Sequence, residues 1–158
     1  MATPTKNILL DDQLCFALYT ASKRFNHFYA DALAPFKLTY PQYITLLALW
    51  ENSPMTVREL GSHVNLDSGT LTPLLKRMQT QGWVERNRDE NDERQVNISL
   101  SQKAIDAKLD IFAHVNSCME LLNMDAETYA NTRDTVNFAS DRIKNADPKK
   151  IDYTGTEL

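Results

Sequence analysis

The chain has 158 residues, with 17 Lys and Arg against 21 Asp and Glu and a formal charge of −4. That length suits one domain, or a small domain with helical extensions, and 42% hydrophobic with 9% aromatic residues exclude wholesale disorder. The longest apolar run, Tyr43 to Trp50, is far short of the ~20 residues of a membrane helix, and Met1 to Gln13 lacks a signal peptide's basic start and cleavage site, so a cytoplasmic protein with no membrane partner is expected.

From Asp11 to Leu33, apolar residues fall at Leu14, Leu18, Ala21, Phe25, Phe28 and Ala32, in steps of three and four that mark one face of a long helix. Asp11 or Asp12 is the expected N-cap, and Pro35 marks the exit. Thr39-Tyr40-Pro41-Gln42 reads as a capping box, with proline in the first turn where its missing N–H costs nothing. The helix it opens is apolar almost all round, from Tyr43 to Trp50, and is expected to be buried. Asn52-Ser53-Pro54 ends it.

Thr56 to Glu59 is a second capping box, opening a short helix that ends near His63 or Val64. Asp67-Ser68 caps a third helix reaching about Gln81, with Gly82 as its stop and Leu71, Leu74, Leu75 and Met78 as its inner face. Pro73 falls inside it and predicts a local distortion. Trp83 to Arg88 and Gln95 to Leu100 alternate with period two, so the charged segment Asp89 to Arg94 becomes the tip of a hairpin. Ser101 then caps a long helix with a seam at Ile111, Val115, Cys118 and Leu122, flanked by Ile105, Leu109, Phe112 and Met119. Asp125 caps a last helix to about Ala146, and Asp147 to Leu158 reads as a flexible tail.

A short helix, a tight turn and a second helix with a polar start make a helix-turn-helix, and the charged hairpin behind it is a wing. The expected fold is therefore mainly α with a small β-hairpin wing, in four parts. Residues 11–37 are an N-terminal helix, 38–100 a winged helix-turn-helix, 101–146 C-terminal helices, and 147–158 the tail. The outer helices carry more apolar surface than one small domain covers, so dimerisation through them is expected.

The third helix begins with small hydroxyl residues. Ser68, Thr70 and Thr72 suit phosphates or base edges, with Gly69 and Pro73 among them, and Lys76 and Arg77 follow where an inserted helix would pass the backbone. The wing offers Arg86 and Arg88 on its first strand and Arg94 at its tip, the last suited to a minor groove. Asp92, two residues before Arg94, is placed to hold its guanidinium. The other reading of these charges is a capped surface helix and an ordinary polar turn. Residues 56–100 hold six bases and seven acids, so double-stranded DNA binding requires the arginines to be segregated on one face. Much of the excess acid lies elsewhere, since residues 101–158 hold ten acids and seven bases.

Two cysteines, Cys15 and Cys118, are too few for a disulfide scaffold and stand 103 positions apart. Cys15 lies early in the first helix, where free N–H groups favour a thiolate while Asp11 and Asp12 oppose it. A small buried residue is the competing reading for each cysteine. His27, His63 and His114 show no metal spacing with each other or with the cysteines, so neither metal nor other cofactor is expected. No catalytic triad, paired-carboxylate site or phosphate loop is present either, and the chain does not read as an enzyme.

Four segments in order carry a resemblance: Leu14 to Tyr19, Leu38 to Tyr43, Leu66 to Arg77, and Asp92-Glu93-Arg94. Over about residues 11–124 the chain resembles the MarR family, and within it the organic-hydroperoxide-sensing OhrR branch. The resemblance implies a homodimeric repressor that releases operator DNA when a cysteine is oxidised by organic hydroperoxide. It matches Cys15 to the peroxidatic cysteine and Tyr29 and Tyr40 to the tyrosines that hydrogen-bond its sulfur. On one straight helix Cys15 and Tyr29 would stand ~21 Å apart, so the tyrosines must come from the partner chain. Cys118 matches the resolving cysteine of the two-cysteine branch, which would close a disulfide with Cys15 between subunits; an apolar-seam residue is the alternative. A MarR-type repressor released by a small aromatic ligand in the dimer cleft, with no thiol switch, is the alternative function.

Overall fold

The computed structural model describes residues 9–89, 91–92 and 94–150. The chain divides into two compact units, one running to Cys118 and the other starting at Met119.

The first unit opens with a 3-10 turn, Leu10–Asp12, followed by helix α1, Leu14–Leu33. Neither Asp11 nor Asp12 is the cap expected of them. The 3-10 turn takes both, Gln13 stands at the N-cap with no side-chain cap bond, and its amide donates to the Leu9 carbonyl at 3.2 Å. Only Ala32 and Leu33 of α1 are buried, while Leu14 and Phe25 on the predicted apolar face are 61% and 44% exposed. Pro35 lies in a 3-10 turn, Ala34–Phe36, and Lys37 in the left-handed region turns the chain into the next helix.

Helix α2, Tyr40–Glu51, starts at the expected box: the Thr39 N–H donates to Gln42 Oε1 at 2.9 Å, with Pro41 in the first turn. It is buried on most sides, as its all-round apolar pattern demands. Thr45, fully buried, is satisfied by donating to the Pro41 carbonyl at 2.7 Å. Gln42 is buried too, and its amide donates to Gln81 Oε1 at 2.9 Å, tying the start of α2 to the residue that ends the helix over Ser68–Thr80.

Strand β1, Met55–Thr56, was not anticipated from the sequence. Two residues are too short for a period, and only pairing with a distant strand defines them. Helices α3, Val57–Val64, and α4, Ser68–Thr80, follow, then strands β2, Val84–Arg88, and β3, Val96–Leu100. The hairpin is therefore part of an antiparallel sheet in the order β1-β3-β2, with the fully buried Ile98 paired to both Met55 and Arg86. Helix α4 runs unbroken through Pro73, so the expected distortion does not interrupt it. Its inner face is the predicted one: Leu71, Leu74, Leu75 and Met78 are all buried, as are Leu46, Leu49, Leu60 and Ile98 of the core. Each such side chain contributes ~1.5–3 kcal/mol of apolar burial.

Helix α5, Gln102–Glu120, is anchored where it starts. Ser101 Oγ accepts from the Ala104 N–H at 3.2 Å and donates to the Gly82 carbonyl at 2.6 Å. Lys103 Nζ donates to the Gln81 carbonyl at 2.8 Å and sits 4.1 Å above the Trp83 ring. Trp50 of α2 donates to the Ala104 carbonyl at 3.1 Å. Ile111 and Val115 of the predicted seam are buried and Cys118 is half-buried, but α5 ends before Leu122, whose turn closes with Asn123 in the left-handed region. Ile105 and Leu109 are exposed.

The second unit holds helix α6, Ala126–Asn145, capped as predicted by Asp125, whose carboxylate accepts the Thr128 N–H at 2.7 Å. No residue of α6 is buried, and Tyr129, Val136, Phe138 and Ile143 stand exposed along it. Within the predicted tail, Pro148–Lys150 form a 3-10 turn, and residues 151–158 lie outside the described residues. Among the described residues no helix is long and apolar enough to cross a membrane. The fold is a winged helix, mostly helical with a small antiparallel sheet.

Candidate nucleic-acid interface and thiol site

The turn between α3 and α4 depends on Gly61. The N–H groups of Asn65 and Leu66 both point to its carbonyl, and a Cβ at Gly61 would stand 2.8 Å from the Leu66 oxygen. Asn65 takes the left-handed conformation that such a turn needs. At the start of α4, Asp67 accepts the Thr70 N–H at 2.9 Å and the Thr70 hydroxyl at 3.0 Å. These two bonds hold its carboxyl below the ordinary 3.8. Glu59 is likewise held down by the N–H and hydroxyl of Thr56, each at 2.8 Å. Both helices of the motif are thus fixed by short-range caps.

Ser68, Thr70, Pro73, Lys76 and Arg77 are exposed and Thr72 is half-exposed, all on the side of α4 away from the core. Between this motif and the wing runs an open groove of about 1080 Å³, with Arg58, Ser62, Asn65 and Ser68 on one wall and Arg94 and Gln95 on the other. Arg58, Ser62, Asn65 and Gln95 were not singled out from the sequence. Arg58 and Asn65 were legible only as parts of a cap and a turn, and their facing Arg94 is a consequence of the sheet.

The wing is organised by a residue the sequence reading passed over. Asp89 accepts the N–H groups of Asn91 at 2.8 Å and Asp92 at 3.1 Å, and the Asn97 amide at 3.0 Å. The Asn91 bond is the largest of the effects that hold its carboxyl below the ordinary 3.8. Asp92 does not take the Arg94 guanidinium as expected: its carboxylate accepts the Arg94 backbone N–H at 3.0 Å and the Gln95 amide at 3.3 Å, so it shapes the tip and leaves the Arg94 side chain exposed. Arg86 is half-buried, with its Nε enclosed and without a partner, whereas Arg88 is exposed.

The thiol residues are spread through the first unit. Cys15 is exposed at the second position of α1, and both cysteines are free. Tyr29 and Tyr40 come together where α1 meets α2, their ring centroids 4.5 Å apart, with Tyr43 at 6.0 Å from Tyr29. Because α1 is continuous, Cys15 lies 14 residues, ~21 Å, along the helix from Tyr29. One protomer does not bring sulfur and tyrosines together. Cys118 is half-buried, with its Sγ 3.7 Å from His114 Nε2 one turn earlier. The sequence reading set the histidines aside for want of metal spacing, and this pair escaped it. Among the described residues no group of three or more potential ligands could hold a metal.

Comparison with known proteins places these features. Residues 27–111 match the family model described as transcriptional regulator SarA/Rot. The HTH-type regulator TtmR of Methylorubrum extorquens is 49% identical over 118 residues, covering 73% of this chain and 60% of its own length. The organic hydroperoxide resistance transcriptional regulator of Bacillus subtilis is 50% identical over 93 residues, 59% of this chain and 63% of that protein. The chain therefore spans under two thirds of the length of these two relatives. It covers 98% of the regulator SarZ of Staphylococcus aureus, at 38% identity over 147 residues and 91% of this chain. Among solved structures, reduced AbfR of Staphylococcus epidermidis bound to DNA superposes with a TM-score of 0.73 at 37% identity, covering 85% of this chain and 94% of that one. Disulfide-formed AbfR gives 0.63 at 37% identity, over 82% and 91%. With more than half its length matched by the family model, this chain belongs to the SarA/Rot family of transcriptional regulators, winged-helix proteins of the MarR type.

Proposed function

We propose that this regulator binds operator DNA as a homodimer and releases it when an organic hydroperoxide oxidises Cys15. The groove between α3–α4 and the wing supports the DNA half of this reading. Helix α4 presents Ser68, Thr70, Thr72 and Pro73 to a major groove, with Lys76 and Arg77 at the phosphates, while Arg94 follows the minor groove from a tip shaped by Asp92. Arg86 supports the wing from within the sheet. The parts expected from the sequence, 11–37, 38–100, 101–146 and 147–158, then have separate duties of sensing, reading, dimerisation and tail. Exposed apolar side chains on α1, α5 and α6 support dimerisation through those helices.

The observation that carries the redox half is the separation of Cys15 from Tyr29 and Tyr40 along one continuous helix. An exposed thiol at one end and a tyrosine pair at the other make a complete site only when a second copy supplies the missing half. The thiol attacks the terminal oxygen of the hydroperoxide, the O–O bond breaks, an alcohol leaves and Cys15 becomes a sulfenic acid. The Cys118 thiol of the other subunit then attacks that sulfur, the S–O bond breaks, water leaves and a disulfide joins the subunits. The B. subtilis relative named for organic hydroperoxide resistance, and the reduced and disulfide forms of AbfR, favour this chemistry.

Peroxide treatment followed by non-reducing electrophoresis tests it. A covalent dimer is expected in the wild type and in neither Cys15→Ser nor Cys118→Ser. In a gel-shift assay Cys15→Ser is expected to stay on DNA in the presence of peroxide. Release by Cys15→Ser would overturn the thiol switch.

A further inference from the structure

Cys118 does not stand alone on α5. Its Sγ lies 3.7 Å from His114 Nε2, within hydrogen-bonding range for the larger sulfur atom. The imidazole also meets the Phe36 ring in a T-shaped contact at 5.5 Å, from the 3-10 turn that follows α1. One turn of helix sets the spacing, since residues four apart share a face. Both residues are half-buried, with the buried Val115 between them in sequence and the buried Ile111 one turn further back. The thiol thus has the His114 imidazole as a polar neighbour, a base in contact with an aromatic ring on a separate element.

From this geometry we infer that His114 takes the Cys118 proton as the disulfide closes; this rests on the resolving role of Cys118 proposed above. The chemistry needs such a group. A thiol must lose its proton to become the nucleophile, and hydroxide leaves a sulfenic acid only if protonated. In the tautomer with its proton on Nδ1, His114 Nε2 accepts the Cys118 proton. The Cys118 sulfur bonds to the Cys15 sulfur, the S–O bond breaks, and the proton returns from the imidazole to the departing oxygen as water. The Cys118 sulfur is oxidised, the Cys15 sulfur is reduced from its sulfenic state, and the organic hydroperoxide is the oxidant of the earlier step. His114 is a positioning and proton-carrying residue for the second step and has no part in the first.

The two steps can be read separately. In a Cys15→Ser background, which forms no disulfide, alkylation of Cys118 by iodoacetamide reports how readily its thiolate is available. His114→Phe keeps an aromatic ring against Phe36 and removes the base, so alkylation should slow about tenfold. His114→Ala should slow similarly, and added free imidazole should restore its rate, as it could not if the ring served packing alone. With Cys15 present, peroxide consumption should be unchanged in His114→Phe while disulfide closure slows to the same degree as alkylation. Wild-type rates of both alkylation and closure in His114→Phe, with the wild-type disulfide forming normally, would overturn the role of His114 alone. Failure of the wild type to form any disulfide would overturn the resolving role of Cys118, and this proposal with it. Circular dichroism of each variant separates loss of fold from loss of chemistry, and His114→Gln, which keeps polarity but not basicity, should behave as His114→Phe.

Discussion

Asp89 and Asn97 face each other across the wing, the carboxylate accepting the amide at 3.0 Å while its other oxygen takes two backbone N–H groups of the tip. The tip that displays Arg94 is therefore held by two carboxylates, this one and that of Asp92. Asp89→Ala should leave the helical core folded and loosen the hairpin. Affinity for operator DNA should fall by about tenfold, measured by fluorescence anisotropy, with little change in the melting temperature. Equal affinity in variant and wild type would show that the tip is not read by DNA.

Acid should unfold this chain through its caps. Asp67 and Asp125 are held below 3.8, and Glu59 below 4.5, by backbone and side-chain hydrogen bonds. A lowered folded value means these carboxylates contribute stability in full above their ordinary values, and lose it as pH falls through the lowered ones. Melting temperature should hold steady down to about pH 5 and drop below pH 4. Asp67→Asn with Asp125→Asn should lower the neutral-pH melting temperature and flatten that drop, readable by circular dichroism across pH.

Gly61→Ala places a methyl 2.8 Å from a backbone oxygen of the α3–α4 turn, a contact that a flexible side chain cannot relieve. Overpacking of this kind costs about 1–3 kcal/mol, and the turn must open to accept it. Denaturant titration should show that loss, and DNA affinity should fall further than stability alone accounts for, because the two helices no longer hold their angle.

Lys76→Ala and Arg77→Ala test phosphate contacts from the exposed face of α4. Each should weaken binding to specific and random duplexes alike and reduce the slope of log affinity against log salt by about one. Thr70→Ala should instead act on two levels, since its hydroxyl bonds Asp67 as well as facing outward. An unchanged salt slope in both cationic variants would remove α4 from the interface.

What could be read in advance was local. The boxes at Thr39 and Thr56, the cap at Asp67 and the apolar face of α4 are each set by residues three or four apart, and the structure repeats them. What escaped depends on distant segments meeting. Strand β1 exists because Met55 pairs with Ile98, and Gln42 finds Gln81 only after α2 and α4 are packed. The Asp11 or Asp12 cap failed because a preceding 3-10 turn competes for the same residues. In the thiol site the periodic stripe on α1 was visible, but Leu14 and Phe25 remain uncovered in the single chain, so its partner is not written in α1 itself. The His114–Cys118 spacing was present in the sequence and went unread because histidines were weighed only as ligands.

The anchoring of α5 has a mechanical consequence. Ser101 and Lys103 bind the carbonyls of Gly82 and Gln81, directly after α4 ends, and Lys103 also caps the Trp83 ring. From Gln102 to Cys118 the same helix extends ~24 Å. A rod clamped at one end to the reading helix and carrying a thiol near the other is a lever arm. A shift of about 4 Å at its far end corresponds to a tilt of roughly 10° over that length. A shift imposed at the sulfur would thus reach the clamped end as a change of angle, turning α4 rather than carrying it along.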